Sequence, residues 1–111
     1  MKNWCEFVPS LVQRVGEFAA LVPETMEGMD RMAQVPTRHL DARTHELIAL
    51  AVAATTRSDG CIGVHVQEAI KAGASREEIA EALAVAISMN AGVALVYSAK
   101  VLDAYAAFDK Q

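Results

Sequence analysis

Apolar residues recur at three- and four-residue spacing along almost the whole chain, and this period restricts the fold more than any other feature. Few segments are rich in β-branched residues at period two, and Gly and Pro punctuate the periodic segments. An all-α fold is therefore expected. No internal repeat or low-complexity segment interrupts the pattern.

Phe7, Val8, Leu11, Val12, Val15 and Phe18 lie on one stripe of a helix expected from Trp4 to Val22, with Pro9 near its start, where proline is tolerated. Pro23 ends it and opens a short helix bearing Met26, Met29 and Met32, read as adaptable core filler. Val35-Pro36 closes that segment. Asp41 is a good N-cap for a third helix reaching about Arg57. Leu47 to Ala54 are all apolar, and a helix apolar on every side is buried, here between its own subunit and neighbours. Ser58-Asp59-Gly60 breaks the helix. The next starts near Cys61 and runs to Lys71, with Gly73 as its stop. Ser75 and Glu78 form a capping box that opens a helix carrying Ile79, Leu83, Ala86 and Ile87. Asn90-Ala91-Gly92 is expected to end it, and a last helix to run from about Val93 to Phe108. Five or six packed helices follow.

A length of 111 residues favours one domain over residues 1–111. A domain of this size buries only about two-thirds of its unfolded surface. Yet apolar residues and glycine, with tyrosine left out, number 63 of 111, against about 45–50% in ordinary globular chains. Burial between subunits is the expected outlet for that excess. The net charge is −4 and the basic residues are scattered, which gives nucleic-acid binding little support. Between Glu81 and Lys100 lie 18 uncharged residues, the lower length limit for a membrane span. Alanine richness and the interruptions Ser88, Asn90 and Gly92 argue against that use. Met1 to Ser10 lack the basic-then-apolar design of a signal peptide, so the cytoplasm is the expected compartment. Two cysteines, Cys5 and Cys61, do not suggest a disulfide scaffold.

Ser58 or Asp59 can cap the helix that holds Cys61, which puts the thiol in the first turn. Unpaired backbone N–H groups and the positive end of the helix dipole there favour thiolate over thiol. His65 is four residues on, one turn away on the same face, where an imidazole can take the thiol proton or pair with the thiolate. Such a Cys/His pair is more often structural than catalytic. Glu46, a carboxylate at the start of an otherwise apolar helix, is either first-turn dipole decoration or a third group that orients the imidazole. Spacing does not decide between these. His39 is read as exposed, and the side chains of His45 and Glu46, adjacent on a helix, as diverging. Cys61, His65 and Glu46 lack a fourth metal ligand, so no metal and no cofactor are expected. Tyr97 and Tyr105 are read as core or interface aromatics.

The run from Glu46 to Ala54, then Arg57-Ser58-Asp59-Gly60-Cys61, then His65, resembles the alkylhydroperoxidase-D signature of the carboxymuconolactone decarboxylase family, Glu-x11-Cys-x2-Cys-x3-His. Ala69 to Leu83 and Met89-Asn90-Ala91-Gly92 fit the same pattern, and the resemblance covers roughly Leu40 to Tyr105. It implies an all-helical fold built around an antiparallel helix pair, and homo-oligomers, often trimers or hexamers. In redox-active members the second cysteine attacks peroxide or exchanges with a disulfide, and a histidine and a glutamate relay the proton. By matched position these are Cys61, His65 and Glu46. Ser58 stands where such members carry the first cysteine, and serine cannot close an internal disulfide with a sulfenic acid. Resolution by an outside thiol, resolution by Cys5, or a cysteine-to-serine replacement would each account for it.

Three functions follow as expectations. The first is a peroxidase-like or thiol–disulfide activity at Cys61, with a small peroxide or disulfide as substrate and an external thiol as reductant. The second is decarboxylation of a carboxylated lactone, which wants a cationic anchor; Arg57 is the only basic residue near the motif. The third is a non-catalytic oligomeric module on the same scaffold.

Overall fold

The computed structural model describes residues 1–109, and among them it is all-helical with no strand. Five helices follow in order: α1 (Trp4–Leu21), α2 (Pro23–Ala33), α3 (Ala42–Thr55), α4 (Asp59–Lys71) and α5 (Arg76–Asp109). α3 lies between α4 and α5, α1 packs on α4, and α2 touches only α1. The residues buried in the core are few: Val8, Leu50, Ala53 and Ala69.

The caps fall where side-chain chemistry directs them. Thr44 N–H donates to the Asp41 carboxylate at 2.7 Å at the start of α3. At α5 the capping box is complete: Glu78 N–H donates to Ser75 Oγ at 3.0 Å, and Ser75 N–H donates to Glu78 Oε1 at 2.9 Å. Gly73, just past the Ala72 C-cap of α4, has φ of 87°, and the Ala74 N–H donates back to the Ala69 carbonyl. Glu78 also pairs with Arg43 at 3.2 Å, which ties the start of α5 to α3.

Several features differ from the sequence reading. Met29 and Met32, read as core filler, are exposed on α2, which has no buried residue. Asn90-Ala91-Gly92 does not end a helix, so α5 runs unbroken for 34 residues. One interior glycine costs only about 1 kcal/mol, and no proline follows to enforce a stop. The Asn90 side chain, a potential breaker, instead donates from Nδ2 to the Ala86 carbonyl at 2.7 Å and to Thr55 Oγ1 at 3.0 Å. The break after α3 comes earlier than Ser58-Asp59-Gly60: Thr56, Arg57 and Ser58 make the turn, and Asp59 and Gly60 already belong to α4. The apolar run in α3 is buried on one side only, at Leu50 and Ala53, while Ile48 and Val52 stay half exposed in the single chain.

α1 docks on α4 through glycine. A Cβ on Gly63 would sit 2.5 Å from Val8 Cγ2 and 3.4 Å from Trp4 Cε3, so only glycine allows this approach. A Cβ on Gly60 would meet Leu11 Cδ2 at 2.6 Å, but that is the free end of a flexible side chain. Gly63→Ala is therefore expected to destabilise the protein by about 1–3 kcal/mol through overpacking, and Gly60→Ala by clearly less. Urea unfolding of the two variants checks this; equal losses would mean that Val8 does not limit the approach.

Hydrogen bonds from Thr44 hold the Asp41 carboxyl below its ordinary 3.8, and the Ser75 N–H holds that of Glu78 below its ordinary 4.5. A depressed folded value stabilises the protein above the ordinary value and loses that effect as pH falls through the folded one. The starts of α3 and α5 are thus expected to fray at pH values below those ordinary ones, and amide exchange in their first turns measures it.

Candidate functional site

The turn from α3 to α4 builds the site. Ser58 N–H donates to the Ala53 carbonyl at 2.9 Å and Arg57 N–H to that of Ala54 at 3.3 Å, the paired bonds of a Schellman stop. That stop needs a left-handed residue, and Arg57 supplies it with φ of 57° where glycine is usual. The next residue starts the next helix: Ser58 Oγ accepts from Cys61 N–H at 3.3 Å as the N-cap of α4. The turn is three residues long, so α3 and α4 must fold back on each other as an antiparallel pair.

That pairing brings Glu46 to His65. The imidazole Nδ1 lies 2.7 Å from Glu46 Oε2, across 19 residues of sequence. The Glu46 side chain is only 13% exposed and that of His65 31%. An ionised carboxylate only accepts, so a neutral imidazole paired in this way donates from Nδ1, and Nε2 is then its unprotonated nitrogen. Glu46 therefore meets the imidazole directly and is more than first-turn dipole decoration. Cys61 occupies the first turn of α4 and is exposed, one turn before His65. A hydrogen bond closes the Glu46–His65 half of the constellation; helix register sets the Cys61–His65 half.

Sequence reasoning missed one contact. His45 Nδ1 lies 3.2 Å from Glu46 Oε1, so the two adjacent side chains converge and do not diverge. The three-bond arm of glutamate can bend back across the 100° between neighbours, and spacing carries no sign of it. Both Glu46 oxygens therefore meet an imidazole. His39 is exposed, as read. Ser58 serves as the cap. Cys5 is exposed on α1, at an apolar cavity of about 330 Å³ whose walls include Trp4, Val8, Ile62 and Val66 but not Cys61 or His65. Both cysteines are free. Among the described residues no group of three or more His, Cys, Asp or Glu side chains is arranged to hold a metal ion.

The tautomer is testable without any substrate. Long-range proton–nitrogen spectra are expected to show His65 protonated on Nδ1 when neutral, and Glu46→Ala to convert it to a mixture. His45→Ala should leave the tautomer in place, because the 2.7 Å bond survives. An unchanged pattern in Glu46→Ala would remove the orienting role.

Comparison with known proteins places the chain in a family. The model of the carboxymuconolactone decarboxylase family matches residues 22–104, which include the whole site. An uncharacterized protein of Haemophilus influenzae is 44% identical over 105 residues, 93% of each chain. Uncharacterized protein 4 in the cox locus of Paracoccus denitrificans is 48% identical over 63 residues, 57% of each. The crystal structure of an apo carboxymuconolactone decarboxylase family protein from Legionella pneumophila superposes with a TM-score of 0.74 at 35% identity, covering 93% of this chain and 94% of that one. With three-quarters of its length inside the family pattern and its helices in the family arrangement, the chain belongs to the carboxymuconolactone decarboxylase family, as its alkylhydroperoxidase-D-like motif implied.

Proposed function

We propose that the chain is a thiol-based oxidoreductase that reduces small peroxides at a single cysteine, Cys61. The observation that carries this reading is the 2.7 Å bond from His65 to Glu46, because a tautomer-locked imidazole beside a first-turn thiol is what an activated nucleophile requires. His65 Nε2 takes the Cys61 proton. The thiolate sulfur attacks the near oxygen of the peroxide, the O–O bond breaks, and the imidazolium returns the proton to the leaving alkoxide. The products are Cys61 sulfenic acid and an alcohol, or water from hydrogen peroxide.

Ser58 cannot resolve that sulfenic acid, and Cys5 lines a pocket whose walls do not include Cys61, so in this reading an external thiol completes the cycle. The first thiol displaces water to form a mixed disulfide on Cys61. A second attacks that disulfide and releases Cys61 together with an oxidised thiol pair. Exposure of Cys61 suits this, since the incoming thiol must reach the sulfur.

The test uses the Cys5→Ser protein. Iodoacetamide should alkylate Cys61 at pH 7 at least tenfold faster than in the Cys5→Ser/His65→Ala protein, in line with the ~10²–10⁴-fold reach of a positioned base. Peroxide should convert Cys61 to a dimedone-trapped sulfenic acid, with turnover only when a small thiol is supplied. A Cys61 that reacts equally slowly with and without His65 would sink the redox reading and leave lactone decarboxylation or a non-catalytic module.

A further inference from the structure

Among the described residues, every lysine or arginine ion pair goes to a carboxylate other than that of Glu46. Arg43, on the same helix, is taken by Glu78 at 3.2 Å. The Glu46 side chain is only 13% exposed, and imidazoles are its partners on both oxygens. A carboxylate withdrawn from water needs hydrogen bonds at its oxygens to keep its charge. His65 serves Oε2 at 2.7 Å, and His45 serves Oε1 at 3.2 Å, each through Nδ1.

His45 lies outside the Glu-x11-Cys-x2-Cys-x3-His spacing, so the resemblance assigns it no role. Its side chain is 47% exposed and has water within reach as an alternative partner. It bonds its neighbour instead. That contact has a geometric consequence. Glutamate is a long side chain that gives up rotamer freedom when it is ordered. Held at Oε2 alone, the carboxylate can pivot about that one contact. Held at Oε1 as well, its plane is fixed.

We propose that His45 is a positioning residue for the Cys61 site: its Nδ1–H holds Oε1 of Glu46, and the carboxylate so fixed keeps Oε2 on His65. The proposal deepens the reading that His65 activates Cys61, and rests on it. His45 acts through Glu46 and His65 and not on the thiol itself. Its effect is on how long the Glu46–His65 bond lasts. Without His45 that bond still forms and the tautomer of His65 is kept, but the bond opens more often.

The test compares the Cys5→Ser protein with the same protein carrying His45→Ala or His45→Asn. Asparagine places an amide N–H donor where histidine has Nδ1. Its helix propensity is close to that of histidine, and alanine is the better helix former, so a loss in His45→Ala is not fraying of α3. In His45→Ala the His65 Nδ1 proton should exchange with water about threefold to tenfold faster, the weight of one ordinary hydrogen bond. Alkylation of Cys61 by iodoacetamide should slow by less, about twofold, because it follows the fraction of time the bond is closed. His45→Asn should restore both. Unchanged exchange in a folded His45→Ala protein would overturn the proposal alone, and so would faster exchange with unchanged alkylation. A loss that asparagine does not restore would belong to the ring and not to its Nδ1–H, which overturns it as well. Alkylation equally slow with His65 and with His65→Ala is a different result: the peroxidase reading falls, and this proposal with it.

Discussion

The hydrogen bonds across Thr56, Arg57 and Ser58 govern the rest of the molecule. Two of them close α3, and a third from the Cys61 amide opens α4 on the very next residue. Because no slack remains between the helices, their register follows directly. Glu46 faces His65, and Cys61 falls in the first turn with its thiol clear of the core. Arg57 holds a conformation that costs a non-glycine residue about 1–2 kcal/mol. Nothing in the structure explains why arginine and not glycine stands there.

Around this hairpin the other elements attach with unequal strength. α5 is tied to α3 at both ends of their contact, by the Arg43–Glu78 pair near its start and by Asn90 on Thr55 at the far end. α1 rests on α4 through two glycine notches and one exposed ion pair, Lys2 with Asp59. Exposed pairs of this kind contribute about 0–1 kcal/mol, so shape and not charge holds α1 in place. α2 lacks a buried residue altogether.

Much of this was legible in the sequence, because helix punctuation is local. Asp41, Gly73 and the Ser75–Glu78 box each act through bonds that span three to five residues, and each does what its residue type suggests. Asn90 was misread for the opposite reason. Whether its side chain disrupts a helix or bonds back along it depends on a partner 35 residues away. His45 was misread because the bend of one glutamate arm leaves no trace in spacing. The motif gave Glu46, Cys61 and His65 as a set, whereas the atoms that meet, Nδ1 and Oε2, required the fold. The half-exposed α3 was expected to have neighbours, and a single chain does not supply them.

Ser58 sets a conflict between two uses of one position. Its oxygen is a good acceptor for the Cys61 amide, and that bond helps define where α4 begins. Sulfur is a much weaker acceptor. A cysteine there would bring a second thiol within a turn of the first and surrender most of the cap. Helix integrity and self-contained redox cycling therefore draw on the same side chain. With serine in place the helix start is secured, and under the proposed peroxide chemistry the rate at which the site recovers would follow the supply of outside thiol and not the protein's own wiring.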